Sequence, residues 1–458
     1  MKGIFTLLTF CVITSYAYTQ QSNTLSPAEK VYGLSKFWQE VNYNFANFDN
    51  VPKLNWDSAY KVFIPKALAT TTDFEYFTLL LKFCALLRDG HTRIWYPDSY
   101  YTKMSNTMFG DYQIYIENIE NKPIIVRINL CKKDEIPIGS EIIAVNGYSA
   151  KEYLENEIIP TVSASNDDVI RDWATRAMFW GFMGTKYEVK IKTPDGLVKM
   201  LSLTIDKSEE KELVPPLKDE SLFTFKWLKD GIAYVALNSF NDPKIDTLFK
   251  EKVPELRKAK GLVLDMREND GGSDLIGTYI AQYFINDTSF YLGKFKTRKN
   301  IALRKIFTGR FLTSDTINNP IAAESYKCLH NNLWEDKGLS EWKNDIPEKD
   351  RLLFPVVILI GHETGSAGED FLICFDNCKQ IIKMGEHSNG STGMRYVFDL
   401  PGGASSAVCV YHETYPDGHR FVGDGVKPDI EVKRMISDVI NNSDHALDEA
   451  VKYLMSER

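Results

Sequence analysis

The stretch "FPVVILIGHETGSAGEDFLICFDN", residues 354–377, indicates the architecture of the largest part of this chain. Its apolar run ends in a turn of small residues, and a helix-like segment follows. A short continuous apolar run of this kind is typical of a parallel strand buried on both faces. One serine, Ser366, stands within the turn. A lone serine there is more often a helix cap than a reactive group, so its interpretation depends on the rest of the chain.

The same alternation extends over residues 230–458. "GIAYVALNSF" (231–240) and "GLVLDM" (261–266) are strand-like, and an amphipathic segment separates them. Apolar strands alternating with helices predict an α/β core with a parallel or mixed sheet covered on both faces. Ligands in such sheets bind beyond the carboxyl ends of the strands. We therefore expect the loops "HETGSAGED" (362–370) and "NDGGSD" (269–274) to lie together.

The first half of the chain differs from the second. A helical region is predicted for residues 21–110, where Ser26, Pro27 and Glu29 form a helix-start signal. Residues 111–210 contain short strand-like runs, and "IPIGSEIIAVNGYSAKEY" (136–153) predicts a β-hairpin followed by a helix. This piece resembles the PDZ pattern Gly-Asp-x-Ile-x-x-Val-Asn-Gly, with Ser140 in place of the aspartate. PDZ domains bind an extended peptide as an added strand; a β-rich spacer is the alternative.

Charge and composition exclude some classes of function. The chain has 54 basic and 62 acidic side chains, a net charge of −8, and no basic run, so nucleic-acid binding has no electrostatic support. Residues 1–20 are expected to be a signal peptide, cut near Ala17, which predicts export to the periplasm or outside. Phe10 before Cys11 argues against a lipoprotein signal. No transmembrane segment is predicted after the signal peptide, and no metal site or cofactor is expected.

Three segments together carry a resemblance to a known family. They are "GLVLDMRENDGGSDLIG" (261–277), "VVILIGHETGSAGEDFLICFDNCKQIIKMGE" (356–386) and "GDGVKPDIEV" (423–432). In this order they resemble the C-terminal processing (tail-specific) serine peptidases. The resemblance implies a crotonase-like ββα peptidase core over residues 215–458. It also implies a peptide or protein substrate, with the PDZ-like region as a possible binding partner for it.

The resemblance also implies roles for individual residues. Ser366 matches the nucleophile of the family, and the backbone amides of Ala367, Gly271 and Gly272 match its oxyanion donors. Two such donors stabilise a developing oxyanion by roughly 3–4 kcal/mol each. Asp265 and Arg267 are expected instead to brace the fold by pairing with one another.

One departure from the family is decisive. The processing branch uses a lysine as its general base, but in "GEHSNGSTG" (385–393) Ser391 replaces it. A second branch, resembling the tricorn core and secreted bacterial peptidases, uses a histidine from the helical region. "LLRDGHTRI" (86–94) resembles that element and implies that His91 is the base, although Gly90 stands where the tricorn core has a serine. An imidazole with a pKa near 6.5 predicts a rate that rises through about pH 6–7.

The group that orients His91 is the least determined part of the site. The related branch has a glutamate shortly before its closing Gly-Val-x-Pro-Asp, but "RFVGDGVKPD" (420–429) contains none. Asp424 is the nearest acid and is the expected third member. Glu369 is the other candidate, with an expected structural role, and His362 is expected at most to line the site.

The leading hypothesis is a secreted or periplasmic serine endopeptidase that forms an acyl-enzyme on Ser366 with His91 as general base. A different class remains open, because the lysine is missing: an inactive relative that binds a peptide or an apolar ligand. An esterase or other acyl hydrolase is a third possibility. The distance from His91 Nε2 to Ser366 Oγ separates the first two hypotheses, since catalysis requires about 3 Å.

Overall fold

A computed structural model describes residues 24–210, 212–217, 221–299, 313–330 and 332–456. The predicted signal peptide lies outside these residues. Within them, every helix is too short or too polar to span a membrane. A helical part, a β-rich part and an α/β part follow one another along the chain, which confirms the predicted fold class.

The N-terminal helices begin where the sequence predicts. Ser26 Oγ accepts a hydrogen bond from the backbone of Glu29, whose carboxylate accepts one from the backbone of Ser26. Thr72 and Glu75 form the same reciprocal cap. Such a cap satisfies two backbone donors that a helix start would otherwise leave unpaired. The helices of this part are Pro27–Asn44, Trp56–Ala69, Asp73–Ala85 and Asp98–Tyr101.

An aromatic cluster holds these helices together. The Phe83 ring is fully buried, and its centroid lies 4.2 Å from that of Trp56, 4.8 Å from Phe63 and 5.9 Å from Phe37. Burial of large aromatic rings contributes much of the stability of a small core. The cluster therefore fixes the helix Asp73–Ala85 and the segment that leaves its carboxyl end.

That segment is hydrogen-bonded into the C-terminal part of the chain. Strand Arg93–Trp95 pairs antiparallel with Ser405–Cys409, which also pairs with Arg395–Asp399. Because the strand follows residues 86–92 directly, the pairing draws this loop towards the α/β part.

The β-rich part is an antiparallel sheet. Its hairpin runs from Glu141–Val145 through a turn at Asn146 and Gly147 to Tyr148–Ser149, and a helix begins at Ala150, as predicted. The PDZ-like identity of this part and the boundaries between the parts remain predictions. Strands lie at Met104–Ser105, Met108–Phe109, Tyr112–Ile119, Lys122–Asn129, Gly181–Phe182, Lys186–Lys192, Val198–Thr204 and Leu213–Val214, with helices at Ala150–Tyr153 and Asp167–Arg176.

The α/β part is built on a six-stranded sheet. Its edge strand runs antiparallel to the next one, and the remaining neighbours are parallel, so the sheet is mixed. In spatial order the strands are Phe223–Trp227, Ile232–Leu237, Gly261–Asp265, Val356–Ile360, Ile381–Gly385 and Ile430–Glu431.

Both faces of this sheet are covered. Leu262 and Leu264 face a core that includes Phe371, whereas Val263 between them faces a second core with Leu454. Helices cover both faces, which explains why these strands read as continuous apolar runs. The helices are Lys244–Leu256, Asp274–Ala281 and Ala367–Ile373 on one face and His445–Ser456 on the other.

Smaller elements complete the described residues. Strands lie at Ser289–Tyr291, Lys294–Arg298, Trp334–Asp336, Glu341–Lys343 and Tyr411–Thr414, with helices at Pro320–Leu329 and Ile436–Asn441. Lys294–Arg298 pairs with Tyr411–Thr414 close to the end of the main sheet where Ser366 lies.

Replacing Phe83 by alanine should reduce the free energy of unfolding by about 3–5 kcal/mol, because the cavity lies inside the aromatic cluster. Urea denaturation followed by tryptophan fluorescence measures this loss. Leu68→Ala is the control: Leu68 is 48% exposed in the neighbouring helix, and its replacement should cost less than about 1 kcal/mol. Equal losses in the two variants would contradict the importance of the cluster.

Candidate active site

Ser366 lies at the carboxyl end of strand Val356–Ile360 and starts the helix Ala367–Ile373. Its φ of 52° and ψ of −127° are rarely adopted by a residue with a side chain, a strain of order 1–3 kcal/mol. The side chain makes no helix-capping hydrogen bond with the described residues. Its Oγ lies instead 3.1 Å from His91 Nε2, which is hydrogen-bonding distance.

His91 stands in the loop after helix Asp73–Ala85, and a buried carboxylate shapes that loop. Asp89 accepts hydrogen bonds from the backbone of His91 at 3.0 Å and of Thr92 at 2.7 Å, and from the Asn47 side chain at 2.9 Å. Thr92 Oγ1 accepts a further bond from the backbone of Cys409 at 3.0 Å. The N-terminal helices and a C-terminal strand thus hold the backbone of the loop that carries His91.

Ser391 contacts the other nitrogen of the imidazole. Its Oγ lies 2.6 Å from His91 Nδ1. A Cβ atom at Gly90 would lie 2.7 Å from that oxygen, so glycine at position 90 leaves room for the contact. The residue that stands in place of the family's lysine therefore reaches His91 directly.

Glu369 holds the loop that carries Ser391. This fully buried carboxylate accepts hydrogen bonds from the backbone of Gly390 at 2.7 Å and of Ser391 at 2.9 Å, and from the Ser388 hydroxyl at 2.5 Å. Burial raises the pKa of Glu369 to about 7, although these bonds favour its charged form. Glu369 has the structural role expected from the sequence.

The expectation that Asp424 orients His91 is wrong. The Asp424 carboxylate is 52% exposed and pairs with Arg420, at 3.1 Å from Nη2 and 3.3 Å from Nε. The position beside Nδ1 belongs to Ser391. Asp424 was predicted because it lies close to the closing family motif in the sequence. In the structure its carboxylate binds Arg420, four residues earlier.

The expected oxyanion donors also need one correction. The amide of Gly271 donates to Asn269 Oδ1 at 3.0 Å and is therefore occupied. Gly272 and Ala367 line the space around Ser366, and their amides have no hydrogen-bond acceptor among the described residues. These two amides are the pair available to a ligand.

Charged groups of both signs line the cavity that contains the imidazole, among them Asp270 and Glu363. Arg93 and Arg395 line the same cavity of about 460 Å³ as His91 and Ser366, and the Arg93 guanidinium stacks 4.5 Å above the Trp173 ring. Burial, and then the charges of Arg395 and Arg93, lower the pKa of His91 to about 3. The pKa of His91 is thus well below the value near 6.5 of an ordinary imidazole. A rate that rises through about pH 6–7 is therefore no longer expected.

One group of described residues has the spacing of metal ligands: Asp168, His362 and His387, whose ligand atoms lie within 4.8 Å of one another. Its members are already paired. His362 Nδ1 lies 2.6 Å from Asp172, and His387 Nε2 lies 3.1 Å from Asp168, which also binds Arg171. Burial disfavours charge on His362, but the Asp172 carboxylate prevails and raises its pKa. The group is thus a network of hydrogen-bonded side chains beside the loop of Ser366.

Asp265 and Arg267 brace the fold, as predicted. The Arg267 guanidinium donates to both oxygens of Asp265, at 3.0 and 2.7 Å, and also to Asp444. Sequence reasoning missed the contribution of Ser391, and it gave no role to Arg93 or Arg395. The loss of the lysine at position 391 was the one signal that pointed to that position.

Gly271→Ala should reduce the free energy of unfolding by about 3 kcal/mol or more, since strain and overpacking add together. Gly271 has a φ of +99°, and its Cβ would lie 2.7 Å from Ser366 Cβ and 2.8 Å from Gly365 O. Gly418→Ala is the matched control, with a φ of +93° and nothing within 4 Å of its Cβ. It should cost about 1–2 kcal/mol in urea denaturation. A smaller loss for Gly271→Ala than for Gly418→Ala would contradict this packing.

Comparison with known proteins agrees with this arrangement. Residues 231–432 match the model of Peptidase family S41. A carboxyl-terminal-processing protease of Picosynechococcus sp. is 21% identical over 399 residues, which are 86% of this chain and 81% of that protein.

Solved structures show the same fold. Mature CPAF superposes with a TM-score of 0.67 at 13% identity, over 93% of this chain and 96% of that one. CPAF complexed with lactacystin gives a TM-score of 0.66 at 12% identity, over 94% and 97%. These matches confirm the resemblance to the C-terminal processing peptidases and support a serine-type peptidase.

Proposed function

We propose that this chain is an exported serine endopeptidase in which Ser366 is the nucleophile and His91 the general base. The observation that carries the proposal is the 3.1 Å separation of His91 Nε2 and Ser366 Oγ. A ligand-binding relative without activity would have no need of this contact. The distance therefore supports hydrolysis over the binding alternative.

In the first half of the reaction, Ser366 Oγ attacks a peptide carbonyl carbon while His91 Nε2 takes the hydroxyl proton. The carbonyl oxygen becomes an oxyanion, which accepts hydrogen bonds from the amides of Gly272 and Ala367. Removal of one such donor costs roughly 10²–10³ in rate in known hydrolases. The strained backbone of Ser366 is consistent with a hydroxyl held in position before substrate arrives.

Collapse of the tetrahedral intermediate breaks the carbon–nitrogen bond. His91 Nε2 returns its proton to the leaving nitrogen, and the acyl group remains on Ser366 Oγ. Water then gives a proton to His91 and attacks the ester carbonyl. His91 donates that proton to Ser366 Oγ, which restores the hydroxyl as the acid product leaves.

Ser391 is proposed as the positioning residue for His91. If its Oγ accepts a hydrogen bond from Nδ1–H, then Nε2 is left unprotonated and able to take the Ser366 proton. A hydroxyl stabilises an imidazolium less than a carboxylate does. The buried Glu369 compensates in part, because it fixes the backbone that carries this hydroxyl.

We propose that the chain divides into a signal peptide (1–20), a helical region (21–110), a PDZ-like domain (111–210) and a peptidase core (215–458). The PDZ-like domain would present or gate a peptide substrate. Its helix Asp167–Arg176 contacts the loop of Ser366 directly, since Trp173 and Arg176 both donate to Glu363, at 3.2 and 2.7 Å. The apolar N-terminal stretch supports a periplasmic or secreted location.

Ser366→Ala should abolish covalent labelling by a fluorophosphonate probe, because the attacking oxygen is removed. Gel fluorescence of the labelled full-length chain measures this, and peptide hydrolysis should be lost in parallel. Ser456→Ala, at the exposed end of the last helix, should label like the wild type. Undiminished labelling of Ser366→Ala would identify a different nucleophile.

The imidazole of His91 should stay neutral between pH 8 and pH 5. A group whose pKa lies near 3 gains its proton only at lower pH, so its NMR signal should not move over this range. The signal, from ¹³Cε1-labelled histidine, is identified by its absence in His91→Gln. A midpoint between pH 6 and 7 would contradict the depressed pKa.

The same variant tests the role of His91 in the reaction. His91→Gln should label with fluorophosphonate at least about 100-fold more slowly at every pH, the usual contribution of a general base. His330→Gln serves as the control histidine and should label at the wild-type rate. Full reactivity of His91→Gln would remove His91 from the mechanism.

A further inference from the structure

A second cavity opens on Ser366 and differs in character from the one that contains His91. It has a volume of about 170 Å³, and Gly272, Ser366 and Ala367 are among the residues that line it. His91 is not among its lining residues. Ser366 and Gly272 line both cavities, whereas Ala367 lines only the second.

The second cavity is acidic. Asp274, Asp370 and Glu413 line it, and none of its described lining residues is basic. Glu413 is only 9% exposed, yet its carboxylate has no hydrogen bond or ion pair with a described residue. A Cβ at Gly293, which also lines the cavity, would lie 2.5 Å from Glu413 Oε1, so the bare glycine keeps this carboxylate accessible.

Burying a carboxylate without a partner is unfavourable. Burial, and then the charges of Asp274 and Glu369, raise the pKa of Glu413 to about 8. Burial and the charge of Glu413 likewise raise the pKa of Asp370 well above its usual range. A cation in the cavity would favour the charged form of these carboxyl groups, so its binding would be coupled to the loss of their protons.

The walls of the cavity are apolar. Leu292, Phe295, Met394 and Tyr411 line it, and the rings of Phe295 and Tyr411 stack with centroids 4.5 Å apart. Lysine and arginine combine an aliphatic stem with a charged end, and they bury the stem along apolar surface. The cavity has apolar walls for the aliphatic stem and acidic groups for the charged end.

The proposed reaction predicts which part of a peptide substrate enters the acidic cavity. His91 must protonate the leaving nitrogen, so the leaving peptide lies over the cavity that contains His91. The residue whose carbonyl is attacked lies on the other side, beside Gly272 and Ala367. We propose that the acidic cavity binds the lysine or arginine side chain of that residue, an inference that rests on the proposed function.

Coumarin amides of acetyl-Ala-Ala-Lys and acetyl-Ala-Ala-norleucine test this, because the two differ in the ammonium group while the stem is similar. For the wild type, kcat/KM should be at least about tenfold higher with lysine, since the apolar peptide leaves buried carboxylates unpaired. Glu413→Gln should bring the ratio close to one. Asp274→Asn should lower it as well, because Asp274 lies on the same cavity.

Asp417→Asn is the control, since Asp417 is an exposed acid outside the cavity, and it should keep the wild-type ratio. A wild-type ratio near one would overturn the inference. So would a lysine preference that survives in Glu413→Gln and Asp274→Asn.

A binding measurement separates this inference from the proposed reaction. Calorimetric titration of Ser366→Ala with the free acids acetyl-Ala-Ala-Lys and acetyl-Ala-Ala-norleucine needs no turnover. The lysine peptide should bind at least about tenfold more tightly, and equal affinities would overturn the inference. Failure of the proposed function would appear instead as wild-type protein that fluorophosphonate does not label.

Discussion

The site depends on the hydrogen bonds that the buried Glu369 carboxylate accepts. Glu369 lies on the helix that Ser366 starts, and it holds the backbone of Gly390 and Ser391. One short helix therefore fixes both the Ser366 hydroxyl and the loop that contacts His91. Because the carboxylate is fully buried, leaving these donors unpaired would carry the full cost of their desolvation. The geometry between Ser366 and His91 follows from this constraint.

The contact between Ser391 and His91 explains why a serine can stand where the processing branch has its lysine. The family's processing branch supplies its base from the loop that here contains Ser391. A serine in that position cannot act as a base, but it is short enough to leave space for an imidazole from another part of the chain. Gly90 provides the matching space on the other side, since a side chain there would collide with Ser391. A side chain at position 90 and the Ser391 side chain could not both occupy this space.

Charge is distributed unevenly around Ser366. On the side of His91, burial and then the charges of Arg395 and Arg93 lower the pKa of the imidazole, and Asp270 and Glu363 line the same cavity. Carboxylates, with Glu413 the most buried, lie on the other side. The net charge of −8 gives no indication of this separation, because it sums groups that lie far apart in space.

Local patterns in the sequence determined much of the fold. The caps at Ser26 and Thr72, the hairpin before Ala150 and the buried strands around residues 261–265 and 356–360 depend on neighbours along the chain. Short motifs also predicted Ser366 and His91 as site residues, and the fold brings their side chains within 3.1 Å of one another. Tertiary structure alone decided which group stands beside His91 Nδ1. Asp424 was nearer to the expected motif, but Ser391 is nearer in space, because the Glu369 carboxylate folds its loop against the imidazole. The occupied amide of Gly271 and the unpaired carboxylate of Glu413 likewise depend on contacts between distant segments, which no local pattern encodes.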